Sequence, residues 1–202
     1  MSINLSDPSY WDNRYTEKKD TWSLNKPNPV LVQALEEKLL QPPAKLLVAG
    51  SGKGEDAIFL AKCGFEVTAV DFSREAVDYL KNLPVLSKLN FNAVLGDLFE
   101  LEKTFPESFD IIYEYVTICA VEPDRVEELV RNFAAALKPG GIFISVLFPV
   151  DGREGGPPFA VDLQNFYSLA QKYLKLEYYC KEINSLRPRK GNEVLLIFRK
   201  DE

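Results

Sequence analysis

Residues 45–73 read KLLVAGSGKGEDAIFLAKCGFEVTAVDFS, and this stretch decides the fold. The apolar run Leu46-Leu47-Val48-Ala49 stops at glycines on alternate positions, Gly50, Gly52 and Gly54. A helical pattern follows, with Ala57, Ile58, Leu60 and Ala61 on one face. Phe65 to Val70 then reads as a second buried strand, closed by the acid Asp71. Strand, glycine turn, helix, strand and acid make the βαβ unit that binds a cofactor containing adenosine. Glycine suits the turn because the backbone there needs positive φ and because a ligand lies against bare main chain. An acid about twenty residues on can take both ribose hydroxyls as charge-assisted hydrogen bonds. A glycine turn alone also reads as a tight strand-to-helix connection; the strand-end acid is what favours a ligand.

Outward from this unit the chain alternates strands and helices. Residues 28–40 predict an amphipathic helix with Asn28 as N-cap and Pro29 at its first position. A helix near 73–82 starts at Ser73 and packs through Ala76, Val77 and Leu80. Residues 91–96 and 109–116 predict the third and fourth strands, and 123–137 a helix stopped by Lys138-Pro139-Gly140-Gly141. A fifth strand over 142–148, a loop rich in glycine and proline over 150–160 and a helix near 162–172 follow. Two last strands, about 174–183 and 193–199, are joined by NSLRPRKGN, short enough for a hairpin connection. The pattern predicts a doubly wound α/β fold, its sheet mostly parallel with an antiparallel end. One domain spans 1–202, with an arm over 1–27 and a core over 44–200.

Composition narrows the function. The chain has 202 residues, 46% of them hydrophobic, enough for a substantial core. A net charge of −6 argues against nucleic acid as the default partner, since neutralising phosphates needs a basic surface. Arg187, Arg189 and Lys190 form one local basic patch, which reads as a solvated turn more readily than as a binding surface. No stretch has the apolar length of a membrane helix, and SINLSDPSYWD lacks the apolar centre of a signal peptide. Cys63, Cys119 and Cys180, an odd count spread far apart among apolar neighbours, read as reduced residues of a cytoplasmic protein. The sequence contains no histidine, which removes His-based triads, His metal sites and the commonest general base. No metal site is expected.

A hairpin ending without a helical crossover resembles the class I S-adenosylmethionine-dependent methyltransferases, with their seven-stranded Rossmann-like sheet. The glycine turn, Asp71, Gly96-Asp97, FDIIYEY and LKPGG carry that likeness over nearly the whole chain. YWDNRYTEKKDTW, Ala120-Val121-Glu122-Pro123, GGPPFAVD and RPRKGNE are more specific. They resemble the thiopurine methyltransferase family, and within it the halide and thiol methyltransferases. Two residues depart from these patterns. Val48 stands where most class I enzymes carry an acid, as is common in this branch. Glu114-Tyr115 stands where halide and thiol enzymes show Asp-Tyr, which bears on substrate geometry.

The resemblance implies S-adenosyl-L-methionine as cofactor and a small-molecule methyl acceptor, with no nucleic acid or membrane partner and a monomer as a plausible state. Gly50, Ser51 and Gly52 would approach the methionine half, Asp71 would hold the ribose and Phe72 would pack on the adenine. Asp97 and Leu98 would border the adenine ring, although Asp97 reads equally as a turn cap. Trp11 and Trp22 read as anchors of the arm or, by resemblance, as a cover over a sulfonium they attract through their ring faces. Glu114, also placed near the cofactor, joins Tyr115, Phe148 and Phe159 around the acceptor, with Tyr113, Val116 and Ile118 as further apolar wall. For Tyr113, Tyr115 and Val116 the alternative is that alternate strand residues face the core. Methyl transfer needs an in-line approach in a dry site, so an anionic acceptor such as iodide, thiocyanate, hydrosulfide or a thiolate would need no base. An aromatic thiol, thiopurine or metalloid acceptor, or a non-catalytic cofactor-binding domain, are the alternatives.

Overall fold

The computed structural model describes residues 4–202; Met1–Ile3, the first residues of the predicted arm, lie outside the described residues. The sheet is built on β1 (Lys45–Ala49), whose Leu46–Ala49 are all buried. It pairs in parallel with β2 (Glu66–Asp71) on one side and β4 (Phe109–Tyr115) on the other. β3 (Phe91–Leu95) extends the β2 edge in parallel, and β5 (Leu137–Leu147) extends the β4 edge. β7 (Val194–Arg199) then runs antiparallel between β5 and the edge strand β6 (Lys175–Cys180). The order is β3-β2-β1-β4-β5-β7-β6. Strand order reverses between β1 and β4, and in open α/β sheets ligands bind outside the carboxyl ends of strands at that switch.

Helices cover both faces. α2 (Pro29–Glu36), α3 (Glu55–Lys62) and α4 (Arg74–Lys81) bury Leu31, Leu60 and Leu80 against Leu46, Val67 and Ile144. On the opposite face α6 (Val126–Ala136) and α7 (Leu163–Ala170) bury Phe133 and Phe166 against Ile112, Phe143 and Phe198. The short helix α5 (Leu101–Thr104) adds Leu101 to that layer. Ser73 caps α4, its hydroxyl accepting from the Ala76 amide, a contact of about 1 kcal/mol.

Three boundaries differ from the sequence reading, each for a local reason. The first core helix stops at Glu36 and not near residue 40, its last carbonyls taken by the amides of Glu37 and Lys38. The 123–137 helix gives way at Ala136, and LKPGG belongs to the start of β5. Gly140 has φ +72, and the Lys200 amide bonds the Gly141 carbonyl, so the C-terminal strand's end holds this turn in the sheet. The N-terminal arm, read without regular structure, contains the helix α1 (Pro8–Thr16). Asp7 caps it through the Ser9 amide at 2.9 Å and Pro8 takes its first position.

Candidate active site

The glycine turn leaves β1 through Gly50 and Gly52, both at positive φ, +60 and +53. A Cβ at Gly50 would stand 2.5 Å from Thr117 Oγ1, which donates to the Ala49 carbonyl at 2.9 Å. A Cβ at Gly52 would meet the Tyr15 hydroxyl at 3.1 Å. The turn is therefore closed to side chains on the β4 side and narrow on the arm side. Asp71 locks it to β2: Oδ2 accepts from the Gly52 amide at 2.7 Å and Oδ1 from the Ser73 amide at 2.8 Å. Burial raises the Asp71 pKa above the usual carboxylate range, while those amides pull it back down.

Beyond the strand ends lies a cavity of about 470 Å³. Asp71, Phe72, Asp97, Leu98 and Phe99 line one end. Phe148, Pro157, Pro158, Pro188 and Arg189 line the other, with Gly50, Val116, Thr117 and Cys119 also on the wall. The arm adds Tyr10, Trp11, Tyr15 and Trp22. The Trp11 and Trp22 rings meet edge to face with centroids 5.8 Å apart, and Tyr15 packs on Trp22 at 5.5 Å. Trp11 Nε1 donates to the Leu5 carbonyl and Trp22 Nε1 to the Tyr15 hydroxyl. A second cavity, about 60 Å³, borders the glycine turn and also touches Gly50, Trp22 and Val116.

The arm is fastened by polar contacts that cross the fold. Asp12 accepts from Ser73 Oγ at 2.5 Å, at the N-terminus of α4. Asp20 pairs with Lys53 at 2.6 Å, and Ser23 donates to Glu55. Arg125 Nη1 donates to Ser6 Oγ at 3.1 Å while its guanidinium stacks on Phe99. Lys53 and Glu55 flank the glycine turn, so arm and turn are stitched together.

The sequence-predicted residues fall into three groups. Trp11, Trp22, Gly50, Asp71, Phe72, Asp97, Leu98 and Phe148 share the larger cavity. Ser51, Gly52 and Tyr115 line the smaller one. Asp97 also caps the turn after it, Oδ1 accepting from the Phe99 amide at 2.9 Å, which is its turn-cap reading. Glu114 and Phe159 line neither cavity. Glu114 is 1% exposed and sits behind the Thr117 wall, accepting from the Ser145 hydroxyl and the Thr117 and Ile118 amides. Burial pushes its pKa up to about 7. The Phe159 ring folds back on Gly156, leaving Pro157 and Pro158 to face the cavity. Tyr113, also expected on the wall, donates to Asp56 at 2.8 Å and is fully buried.

The largest correction concerns Arg189, expected in a solvated turn. It is 6% exposed and lines the larger cavity. Nη2 donates to the Trp22 carbonyl at 2.6 Å, and the guanidinium lies 4.9 Å from the Tyr115 ring centroid and 5.2 Å from that of Phe148. Nη1 is buried and makes no hydrogen bond among the described residues. Glu193, unassigned from sequence, anchors the connection that carries Arg189: it accepts from the Tyr115 hydroxyl at 2.5 Å and from the Ser185 hydroxyl. The connection's only sequence signal was the RPRKGNE likeness, which named no inward-facing residue. Tyr15 was likewise inside a quoted motif without being singled out.

These features fit S-adenosylmethionine. The Gly50–Gly52 cradle would be filled by any Cβ, a buried carboxylate stands at the strand end, and the Ser51 hydroxyl is buried without a hydrogen-bond partner. The model of the thiopurine S-methyltransferase family matches residues 6–200. The chain is 33% identical to a probable thiol methyltransferase 2 of Arabidopsis thaliana, over 99% of this chain and 88% of the relative. It is 28% identical to thiocyanate methyltransferase 1 of the same organism, covering 94% and 84%. In fold it is similar to the 1,6-didemethyltoxoflavin-N1-methyltransferase of Burkholderia thailandensis, solved with S-adenosylhomocysteine, at a TM-score of 0.74, 21% identity and coverage of 96% and 87%. With turn, acid and sheet order agreeing with that family match along almost its full length, the chain belongs to the thiopurine S-methyltransferase family and is an S-adenosylmethionine-dependent methyltransferase.

Proposed function

We propose that this enzyme methylates a small anionic acceptor, a thiolate, thiocyanate, hydrosulfide or halide. One observation carries the reading: the Arg189 guanidinium, with an unpartnered Nη1, is buried in a wall that it shares with Phe148, Pro157, Pro158 and Pro188. A buried cation with a free donor is complementary to an anion, and an unpaired buried donor is costly to leave so. The thiol and thiocyanate methyltransferases among its relatives support the same acceptor class.

S-adenosylmethionine supplies an electrophilic methyl group carried on a sulfonium. Arg189 holds the acceptor, and Phe148 with the two prolines excludes the water that would otherwise shield it. Asp71 holds the ribose, Phe72 packs on the adenine, and Asp97 with Leu98 borders that ring. Gly50, Ser51 and Gly52 receive the methionine half, while the described part of the arm, residues 4–27, forms a lid through Trp11 and Trp22 on the 44–200 core of one domain. Tyr115 acts by supporting Arg189, and Glu114 by holding the Thr117–Ile118 turn, as positioning residues. No histidine is present to act as base. Cys119 is no substitute, because burial pushes its thiol up to about 12. The acceptor therefore arrives already ionised. The three cysteines are unbonded, in keeping with a reducing cytoplasm, and no helix among the described residues is long and apolar enough to cross a membrane.

The test is S-adenosylhomocysteine formation against iodide, thiocyanate, hydrosulfide, thiophenols and thiopurines. Turnover with the small anions is expected, and competition between thiocyanate and iodide for one site. Turnover confined to neutral or bulky acceptors would overturn the reading.

A further inference from the structure

The smaller cavity carries groups that the acceptor reading leaves unused. It is lined by Ser51, Lys26, Asp56 and Val48, among others. The Ser51 hydroxyl is buried without a partner, and Lys26, exposed on the arm, is among the lining residues. Asp56, in the first turn of α3, accepts from the Asn28 amide at 2.6 Å through Oδ1 and from the Tyr113 hydroxyl at 2.8 Å through Oδ2. Each carboxylate oxygen keeps a further lone pair for a ligand. Val48 stands two residues before Gly50 and offers no charge there. Alongside Glu55 and Lys53, which are already paired, the lining thus offers the acid Asp56, a free hydroxyl and Lys26, the complement of a zwitterionic amino-acid head.

We propose that Asp56 receives the α-ammonium of the cofactor's methionine half, with Ser51 and Lys26 receiving its α-carboxylate. The assignment rests on the cofactor reading and adds to it the residues that recognise the amino-acid end. In this chain the acid that faces the ammonium comes from the helix after the glycine turn, since the strand before it ends in Val48-Ala49. Tyr113 and Asn28 fix the carboxylate, so β4 and the N-cap of α2 both aim it.

The electrostatics agree. Burial pushes Asp56 up to about 6, and the amide and hydroxyl that bond it, with Arg189, act in the opposite direction while Glu55 raises it further. Lys53 lines the same cavity but is paired with Asp20, and Glu55 accepts from Ser23. A cation bound beside Asp56 favours its ionised form, so binding below about pH 6 releases a proton. Affinity for S-adenosylhomocysteine should therefore rise from pH 5 to 7 and level off above.

The experiment is calorimetric binding of three ligands to the wild type and to Asp56→Asn. The ligands are S-adenosylhomocysteine, its desamino analogue with hydrogen in place of the ammonium, and 5′-methylthioadenosine, which lacks the amino-acid head. The wild type should bind the desamino analogue roughly 10- to 100-fold more weakly than S-adenosylhomocysteine, the range for a charge-assisted hydrogen bond. Asp56→Asn should bind those two alike and bind methylthioadenosine as the wild type does. Equal wild-type affinity for S-adenosylhomocysteine and its desamino analogue would overturn the proposal, as would a variant that keeps the wild-type preference. Should the variant not fold, the wild type decides alone: its preference must shrink at pH 5, where Asp56 is protonated. Failure of the wild type to bind S-adenosylhomocysteine at all would overturn the cofactor reading itself, and this proposal with it.

Discussion

The two ends of the larger cavity are built in different ways. The end bearing Asp71 and Phe72 takes its carboxylate from the glycine-turn unit itself, and that carboxylate's contacts are main chain: the Gly52 and Ser73 amides. The end bearing Arg189 is assembled from β5's exit at Phe148, the Pro157-Pro158 loop, the β6–β7 connection and the arm's Trp22 carbonyl. A local, backbone-built end holds what every member of a methyltransferase family must hold. An end gathered from distant segments, through side chains, is free to change with the acceptor.

The contrast breaks most easily at the arm, which touches both ends. Deleting residues 1–25 removes Trp11, Tyr15 and Trp22, the Asp12 contact to α4 and the carbonyl that holds Arg189. The sheet and its two cores do not include these residues, so a folded protein is expected by circular dichroism. Turnover should fall at least about 1000-fold, from lost positioning and water exclusion together. A truncated protein retaining most of its activity would make the arm an ornament of the core and dissolve its role at both ends.

Arg189→Gln separates the ends. It keeps a donor and removes the charge, and kcat/KM for thiocyanate should drop roughly 100-fold, since loss of a buried charged partner costs about 2–5 kcal/mol. Affinity for S-adenosylhomocysteine should move far less, through the Trp22 carbonyl alone. Equal losses in both measurements would show that Arg189 acts as a clamp on the arm and not as an anion site.

This division also explains what was legible in the sequence. The βαβ unit was legible because glycine spacing, helical periodicity and the strand-end acid lie within thirty residues or so of one another and each has a local physical cause. Arg189 was not, because an irregular connection has no periodicity, and RPRKGN is as polar as any solvated turn. Only tertiary contacts, from Glu193 to Tyr115 and from Arg189 to Trp22, reveal that it folds inward. Glu114 failed differently. A carboxylate at a strand's carboxyl end reads as a ligand group, yet Ser145 on the neighbouring strand satisfies it internally. Phe159 was expected on the wall, but its ring folds back on Gly156 and the same motif turns Pro157 and Pro158 to the cavity instead. The arm helix was signalled by Asp7 and Pro8, an N-cap and first position, but its short polar face concealed it.

At the cofactor end, Asp71→Asn keeps the volume and one acceptor while removing the charge. S-adenosylhomocysteine should bind about tenfold more weakly, near the lower limit for a charge-assisted hydrogen bond. Thiocyanate's KM at saturating cofactor should stay within about twofold, the mirror image of Arg189→Gln. Calorimetry for the first and steady-state rates for the second check it. A change in thiocyanate KM as large as the change in cofactor affinity would mean that the two ends are coupled through the glycine turn.

The smallest effect expected is the pH dependence with thiocyanate, and its sign is informative. Cys119, pushed up to about 12, stays a neutral thiol through pH 6–9, and burial also keeps Tyr115 protonated there. Glu114, pushed up to about 7, is the group behind the acceptor wall that changes charge in this window. It is neutral below 7 and anionic above, so rising pH places a negative charge behind a site built for an anion. At saturating cofactor, where the Asp56 titration does not enter, the thiocyanate rate should therefore decline, by no more than about twofold, as pH passes 7, because Ser145, Thr117 and Ile118 absorb most of that charge. In Glu114→Gln the shallow decline should vanish. A general base would give the opposite sign, a rate climbing steeply to a plateau above its pKa. With hydrosulfide or a thiophenol such a climb is expected, at the acceptor's own pKa and unchanged in Glu114→Gln. A climb with thiocyanate, which carries its charge throughout, would show an enzyme group taking a proton and would end the case for an acceptor bound as a preformed anion.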